Sequence, residues 1–151
     1  MKILVAASGN HDGFVDPIAT TASFPWPDGS EIQVLTISEL IQPAVAGVFP
    51  GTASPIVDVS DVQQRADTAA ETIAASAVAQ FQSRGLRAEG VSMEGDPQTA
   101  IADYARTWGA DVIVVGTHDR SPVERLLLGS VSESVVKHSP CSVLVVKHRG
   151  Q

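Results

Sequence analysis

The chain has almost no cysteine, no cluster of positive charge and no long apolar run. Its one cysteine, Cys141, cannot make an intrachain disulfide, so a reducing cytoplasm is the expected setting. The formal net charge is −7, and no basic cluster offsets it. Nucleic acid is therefore not an expected partner, because holding a phosphate backbone needs concentrated Lys and Arg. No apolar run approaches the ~20 residues of a membrane span, so no membrane association is expected. Lys2 followed by Ile3 to Ala7 is too short for a signal-peptide core, and Gly9, Asn10, His11 and Asp12 follow at once. The four histidines, His11, His118, His138 and His148, lack metal-ligand spacing, and no metal site is expected. Neither phosphate-loop glycine pattern, G-x-x-x-x-G-K-[ST] or G-x-G-x-x-G, occurs, and no G-x-S-x-G nucleophile elbow is present. No catalytic residue is assigned, since Ser8, Ser130 and Ser132 have no base at a predictable distance.

What is present is a domain of ordinary size: 151 residues, 44% of them hydrophobic. A single domain over residues 1–151 is expected. Lys2 to Ala7 is a near-continuous apolar run, typical of a strand covered on both faces. Phe14 to Ser23 is a weak helical candidate, stopped by Pro25 and Pro27. Ile32 to Ile37 reads as a second strand. Glu39 to Val59, with Pro43, Gly47, Pro50, Gly51 and Pro55, reads as a long flexible loop or partly ordered flap, above the usual connection length of ~4–6 residues.

The clearest helix follows, with a capping box at Ser60 and Gln63 and an apolar face of Val62, Ala66, Ala69, Ile73, Ala77 and Phe81. Arg84-Gly85 closes it. Leu86 to Met93 is the third strand. Asp96-Pro97 opens a helix whose buried stripe is Ala100, Ile101, Tyr104 and Ala105, and Gly109 ends it. Asp111 to Val115 is the fourth strand. Ser130 with Glu133 is a second capping box, for a helix reaching about His138, and Ser142 to Lys147 is the last strand. Strand alternating with helix implies an α/β fold, a parallel sheet with helices on both faces. Ligands of such sheets sit at the carboxyl ends of strands where the strand order reverses. Strands one and four meet there, which sets Ala6, Ala7 and Ser8 opposite Gly116 to Ser132.

That second stretch, GTHDRSPVERLLLGSVS, leaves a strand through Gly116 and enters a helix at Gly129-Ser130. A strand, a glycine turn and small residues at a helix start suit an anion, because the first-turn N–H groups and the helix dipole favour negative charge. The same glycines also serve simply to turn a chain. Both readings stand at this point.

The segments Gly95-Asp96-Pro97, Gly109-Ala110-Asp111-Val112-Ile113-Val114-Val115-Gly116, Arg125-Leu126-Leu127-Leu128-Gly129-Ser130-Val131-Ser132 and Ser139-Pro140-Cys141-Ser142-Val143-Leu144-Val145-Val146 together resemble the universal stress protein family. The resemblance implies an open, Rossmann-like sheet of five parallel strands in the order 3-2-1-4-5. It also implies a homodimer seam along Val143, Leu144, Val145 and Val146. The family's ATP-binding branch has a glycine, two residues, a second glycine, nine residues, then Gly-Ser or Gly-Thr. Gly116 and Gly129-Ser130 fit; Asp119 stands at the second glycine. Ser8 stands where the first strand's nucleotide-contacting Asp is usual.

By resemblance, Gly116, Gly129, Ser130, Val131 and Ser132 would hold phosphates, with His118 beside them. Ile37 and Val115 would line the adenine pocket, and Ala6, Ala7 and Ser8 would face it. Arg120 and Arg125 are nearby cations. Asp119 opposes this: at ~5 Å and an effective dielectric of ~20, one like-charge contact costs on the order of 3 kcal/mol, roughly two powers of ten in affinity. Magnesium bridging Asp119 to the phosphates would reverse the sign. The expected function is a stress sensor or regulator that binds ATP or another adenine nucleotide with weakened affinity. At most a slow ATPase is expected, since no base is positioned to activate water. The alternative is a dimeric protein-interaction module of the same fold that has lost the nucleotide, with an unknown protein partner.

Overall fold

The computed structural model describes residues 1–7, 15–39, 59–117 and 128–147, and their side chains apart from those of 15 and 16. Expectations placed on Ser8, His11, His118, Asp119, Arg120, Arg125 and His148, and on residues 40–58 of the long connection, lie outside the described residues.

Five strands, β1 (Lys2–Ala7), β2 (Glu31–Ser38), β3 (Arg87–Glu94), β4 (Val112–Gly116) and β5 (Ser142–Val146), form one sheet in the order β3-β2-β1-β4-β5. Every neighbouring pair is parallel. This is the expected α/β class and strand order. Four helices connect the strands: α1 (Val15–Ser23), α2 (Ser60–Gln82), α3 (Pro97–Trp108) and α4 (Ser130–His138).

The pleat sends alternate residues to opposite faces, and two cores result. Ile3, Val5 and Ala7 of β1, Ile32 and Val34 of β2, and Val114 of β4 pack with Ile18 of α1 and with Ala77 and Phe81 of α2. Leu4, Leu35, Ile113 and Val115 pack on the other face with Ile101 and Ala105 of α3 and Val135 of α4. A strand that buries both sides must be apolar at nearly every position, which is why β1 reads as a continuous run.

α3 has the ends its sequence specifies. The Asp96 carboxylate accepts from the Gln98 backbone N–H at 3.0 Å, Pro97 occupies the first helical position, and Gly109 leaves the helix at φ 74°. Its buried residues are Ile101, Ala102 and Ala105, whereas Tyr104 and Ala100 are only partly buried.

α2 departs from the expected phase. Its buried residues are Ala70, Ala74, Ala77 and Phe81, while Ala69 is exposed and Val62 is 45% exposed. The cap position belongs to Val59 rather than Ser60, with no side-chain cap hydrogen bond. β3 packs closely on this helix: a Cβ built on Gly90 would come within 3.2 Å of the Ala74 Cβ and 3.7 Å of Val78 Cγ2, so a side chain at 90 would crowd it. Alanines also stand on several sides of this helix, so its apolar period carries little contrast.

Candidate functional site

β1 and β4 are adjacent at the point where the strand order reverses. Their registered pairs run from Ile3–Val112 to Val5–Val114 and stop there. β1 goes on to Ala7 and β4 to Gly116, whose pairing with β5 continues to Gly116–Val146. The carboxyl ends of the two central strands thus run on unpaired with each other, the place where an open α/β sheet takes a ligand.

The start of α4 is docked on this mouth. The Ser132 hydroxyl donates to the Gly116 carbonyl at 2.7 Å, and Ser132 is only 4% exposed. Gly129 is the extended cap residue, and the Glu133 N–H bonds to its carbonyl at 2.9 Å. The N–H groups of Ser130, Val131 and Ser132 precede that bond, so they belong to the first turn, outside the helical ladder, at the positive end of the dipole. Ser130 is exposed, and Val131 packs on the α3–α4 core.

The expected Ser130–Glu133 capping box is not formed. Gly129 takes the cap position and makes no side-chain cap bond. The Glu133 carboxylate instead accepts from Lys137 Nζ at 2.6 Å. That hydrogen bond and the lysine's charge hold the Glu133 carboxyl below its ordinary range. A lysine one turn along competes for the carboxylate, and Ser130, one residue inside the helix, is past the cap position.

The remaining expected site residues are placed as follows. Ala6 packs towards the α3–α4 core and Ala7 towards the α1–α2 core. Ile37 is half-buried on the α3–α4 face, and Val115, on the same face, is 3% exposed and so belongs mainly to the core. Gly116 and Gly129 are half-buried. Ser8 and His118 lie outside the described residues.

Two features escaped sequence reasoning. A Cβ on Gly116 would meet Pro17 Cγ of α1 at 2.7 Å, which couples residues 99 positions apart. Thr117, one residue past β4 and 7% exposed, has a buried hydroxyl with no hydrogen-bond partner among the described residues. Proline early in a helix is too common to signal the first, and nothing in the local sequence signals the second.

Among the described residues, no group of three or more His, Cys, Asp or Glu could hold a metal ion. No described helix is long and apolar enough to cross a membrane. Among the described residues β5 pairs only with β4, so its other edge carries no described strand, and Val143, Leu144 and Val145 along it are half-buried.

Comparison with known proteins agrees with this architecture. The family model described as Universal stress protein family matches residues 1–147. A universal stress protein of Methanocaldococcus jannaschii is 44% identical over 63 residues, which is 42% of this chain and 37% of the relative. The chain spans less than half the length of the curated relatives it matches. An Arabidopsis thaliana family protein with AMP bound superposes with a TM-score of 0.71 at 24% identity, covering 99% of this chain and 93% of that one. An Archaeoglobus fulgidus family protein in complex with dAMP superposes with a TM-score of 0.63 at 21% identity, covering 97% and 98%. At such identities the superpositions establish the fold alone.

Proposed function

The chain belongs to the universal stress protein family, and from that premise we propose that it is a stress sensor or regulator binding an adenine nucleotide, ATP in the first instance, at the mouth between β1, β4 and α4. The observation that carries the reading is the docking of the α4 start on the tip of β4 through Ser132 and Gly116. It aims a helix N-terminus at the gap where the two central strands cease to pair. The Thr117 hydroxyl, buried without a partner among the described residues, fits the same use, since a buried donor left unsatisfied costs about 1–3 kcal/mol. AMP and dAMP in structures of related folds support an adenine ligand.

In this reading the first-turn N–H groups at Ser130 to Ser132 receive phosphate, and Ile37 offers apolar surface to the base. No step of hydrolysis is assigned to any residue. Asp119 and Ser8 set the affinity: the like charge at 119 opposes phosphate, and Ser8 lacks the charge assistance of an aspartate. A chain of this fold in a reducing cytoplasm, paired with a second copy along β5, completes the proposal. The open edge of half-buried valines supports that pairing. Val145→Asp should then convert a dimer into monomers in sedimentation.

The experiment is mass spectrometry of nucleotide released from the denatured protein, purified with and without magnesium, followed by calorimetric titration with ATP and AMP. Asp119→Gly with Ser8→Asp should tighten ATP binding by about two powers of ten. An empty protein with flat titrations, unchanged in the double variant, rejects the reading. It would favour the interaction module, which has one observation on its side: Gly116, a motif glycine, already has a packing reason to be glycine.

A further inference from the structure

We propose that the Pro17 ring imposes glycine at position 116, so that a side chain placed there is driven by α1 against the first turn of α4 at the mouth between β1, β4 and α4; its functional half rests on the nucleotide reading above.

The argument begins with why residue 116 is glycine. Its φ is not in the left-handed region, which among the described glycines is occupied by Gly29, Gly85, Gly95 and Gly109. Conformational freedom is therefore not the reason. Space is: a Cβ at 116 would lie 2.7 Å from Pro17 Cγ, closer than real Cβ contacts come. The obstacle is a ring atom, whose movement is limited to the pucker of the ring, less than the end of a flexible chain has.

α1 is poorly able to retreat. Ile18 and Thr21 of the same helix are 1% and 0% exposed, so α1 is seated in the core on this side of the sheet. The tip of β4 is held on its other sides. The Thr117 N–H donates to the Val146 carbonyl at 3.0 Å, and the Gly116 carbonyl accepts the Ser132 hydroxyl at 2.7 Å. Pro17 and Ser132 belong to helices on opposite faces of the sheet. A displacement forced on Gly116 by α1 is thus passed to the first turn of α4, the turn whose N–H groups face the proposed ligand.

The test is a mutant cycle read by amide resonances of the ligand-free protein. Gly116→Ala should shift the resonances of Gly129 to Ser132, although Pro17 sits across the sheet from them. Adding Pro17→Ala should return them, because the next Pro17 atom, Cβ, is at 3.8 Å, an ordinary contact. Pro17→Ala alone should move them little. In AMP titrations Gly116→Ala should weaken binding about tenfold, and the double variant should recover to within about twofold. If Gly116→Ala fails to fold, a native-like spectrum of the double variant carries the same result. Unmoved α4 resonances in Gly116→Ala, or a double variant no better than the single one, overturns the coupling. Absence of both ATP and AMP binding by the parent protein rejects the nucleotide reading, and the resonance cycle still decides the coupling.

Discussion

Ser132 separates two roles that a motif cannot tell apart. The residue sits where a hydroxyl could serve phosphate, yet its hydroxyl is donated to the Gly116 carbonyl at 2.7 Å and the side chain is 4% exposed. Ser132→Ala leaves that carbonyl without the hydroxyl in a part-buried setting. Losing one partner of a buried hydrogen bond costs about 1–3 kcal/mol. For a chain of this length each kcal/mol lowers Tm by roughly 2–4 °C, so a fall of about 2–12 °C is expected. Ser132→Thr retains the hydroxyl and should recover most of the loss, less the cost of fitting one methyl. Ser130→Ala is the control: Ser130 is exposed, and its replacement should stay within about 0.5 kcal/mol of the parent.

The assay pairs thermal unfolding of the ligand-free protein with AMP titration. A clamp predicts that Ser132→Ala loses stability and affinity together, because the α4 start drifts from β4. A phosphate ligand predicts lost affinity at an unchanged Tm. If Ser132→Ala melts within about a degree of the parent while AMP binding collapses, the hydroxyl belongs to the ligand and the clamp argument is wrong.

Two further predictions concern titration. Tyr104 is the chain's single tyrosine, so phenolate absorbance follows it alone; burial first, then the charge of Glu89, pushes its pKa up. The phenol donates to Gln33 Oε1 at 2.7 Å. A raised pKa here stabilises the fold below the ordinary phenol range of about 10 and loses that contribution as pH climbs through the folded value. Glu89→Gln should shift the absorbance midpoint down, and an unmoved midpoint refutes the charge contribution. For Glu133 the sign reverses: its carboxyl is held low by Lys137, so the pair acts at neutral pH and is lost as pH falls through the folded value. Parent and Glu133→Gln unfolding curves should therefore converge in acid and also in high salt, since the pair is exposed. Curves that stay equally separated in acid would refute this assignment.

Much of the fold was legible because its signals are local. β1 announces burial on both sides by being apolar throughout, and Asp96-Pro97 and Gly109 carry the chemistry of a helix start and stop within the segments they bound. The phase of α2 was not legible. A helix with alanine on several sides shows no sharp stripe, and the close approach of Gly90 to Ala74 is made across the fold, where local sequence does not show it. The start of α4 was misread by one residue for a related reason. Ser130 and Glu133 have the spacing of a capping box, but Lys137 is also within reach of the carboxylate and takes it. Spacing identifies which partners are within reach, and competition among them is settled in three dimensions.

Gly116 carries this furthest, because it satisfied a motif and a packing requirement at once. A pattern of glycines argues for phosphate only so far as the glycines have no other reason to exist. Pro17 supplies another reason at 116, so Gly116 by itself no longer weighs for a nucleotide. The weight moves to the first turn of α4. There Gly129 caps in an extended conformation that serine or aspartate would also adopt, and the helix is fastened by Ser132 to the mouth of the sheet. A glycine cap leaves its neighbouring N–H groups without a side-chain partner from the cap itself, and the fold fixes them at the edge where the two central strands stop pairing. The case for an anion in this chain therefore rests on how α4 is docked, and it stands or falls with the Ser132 contact.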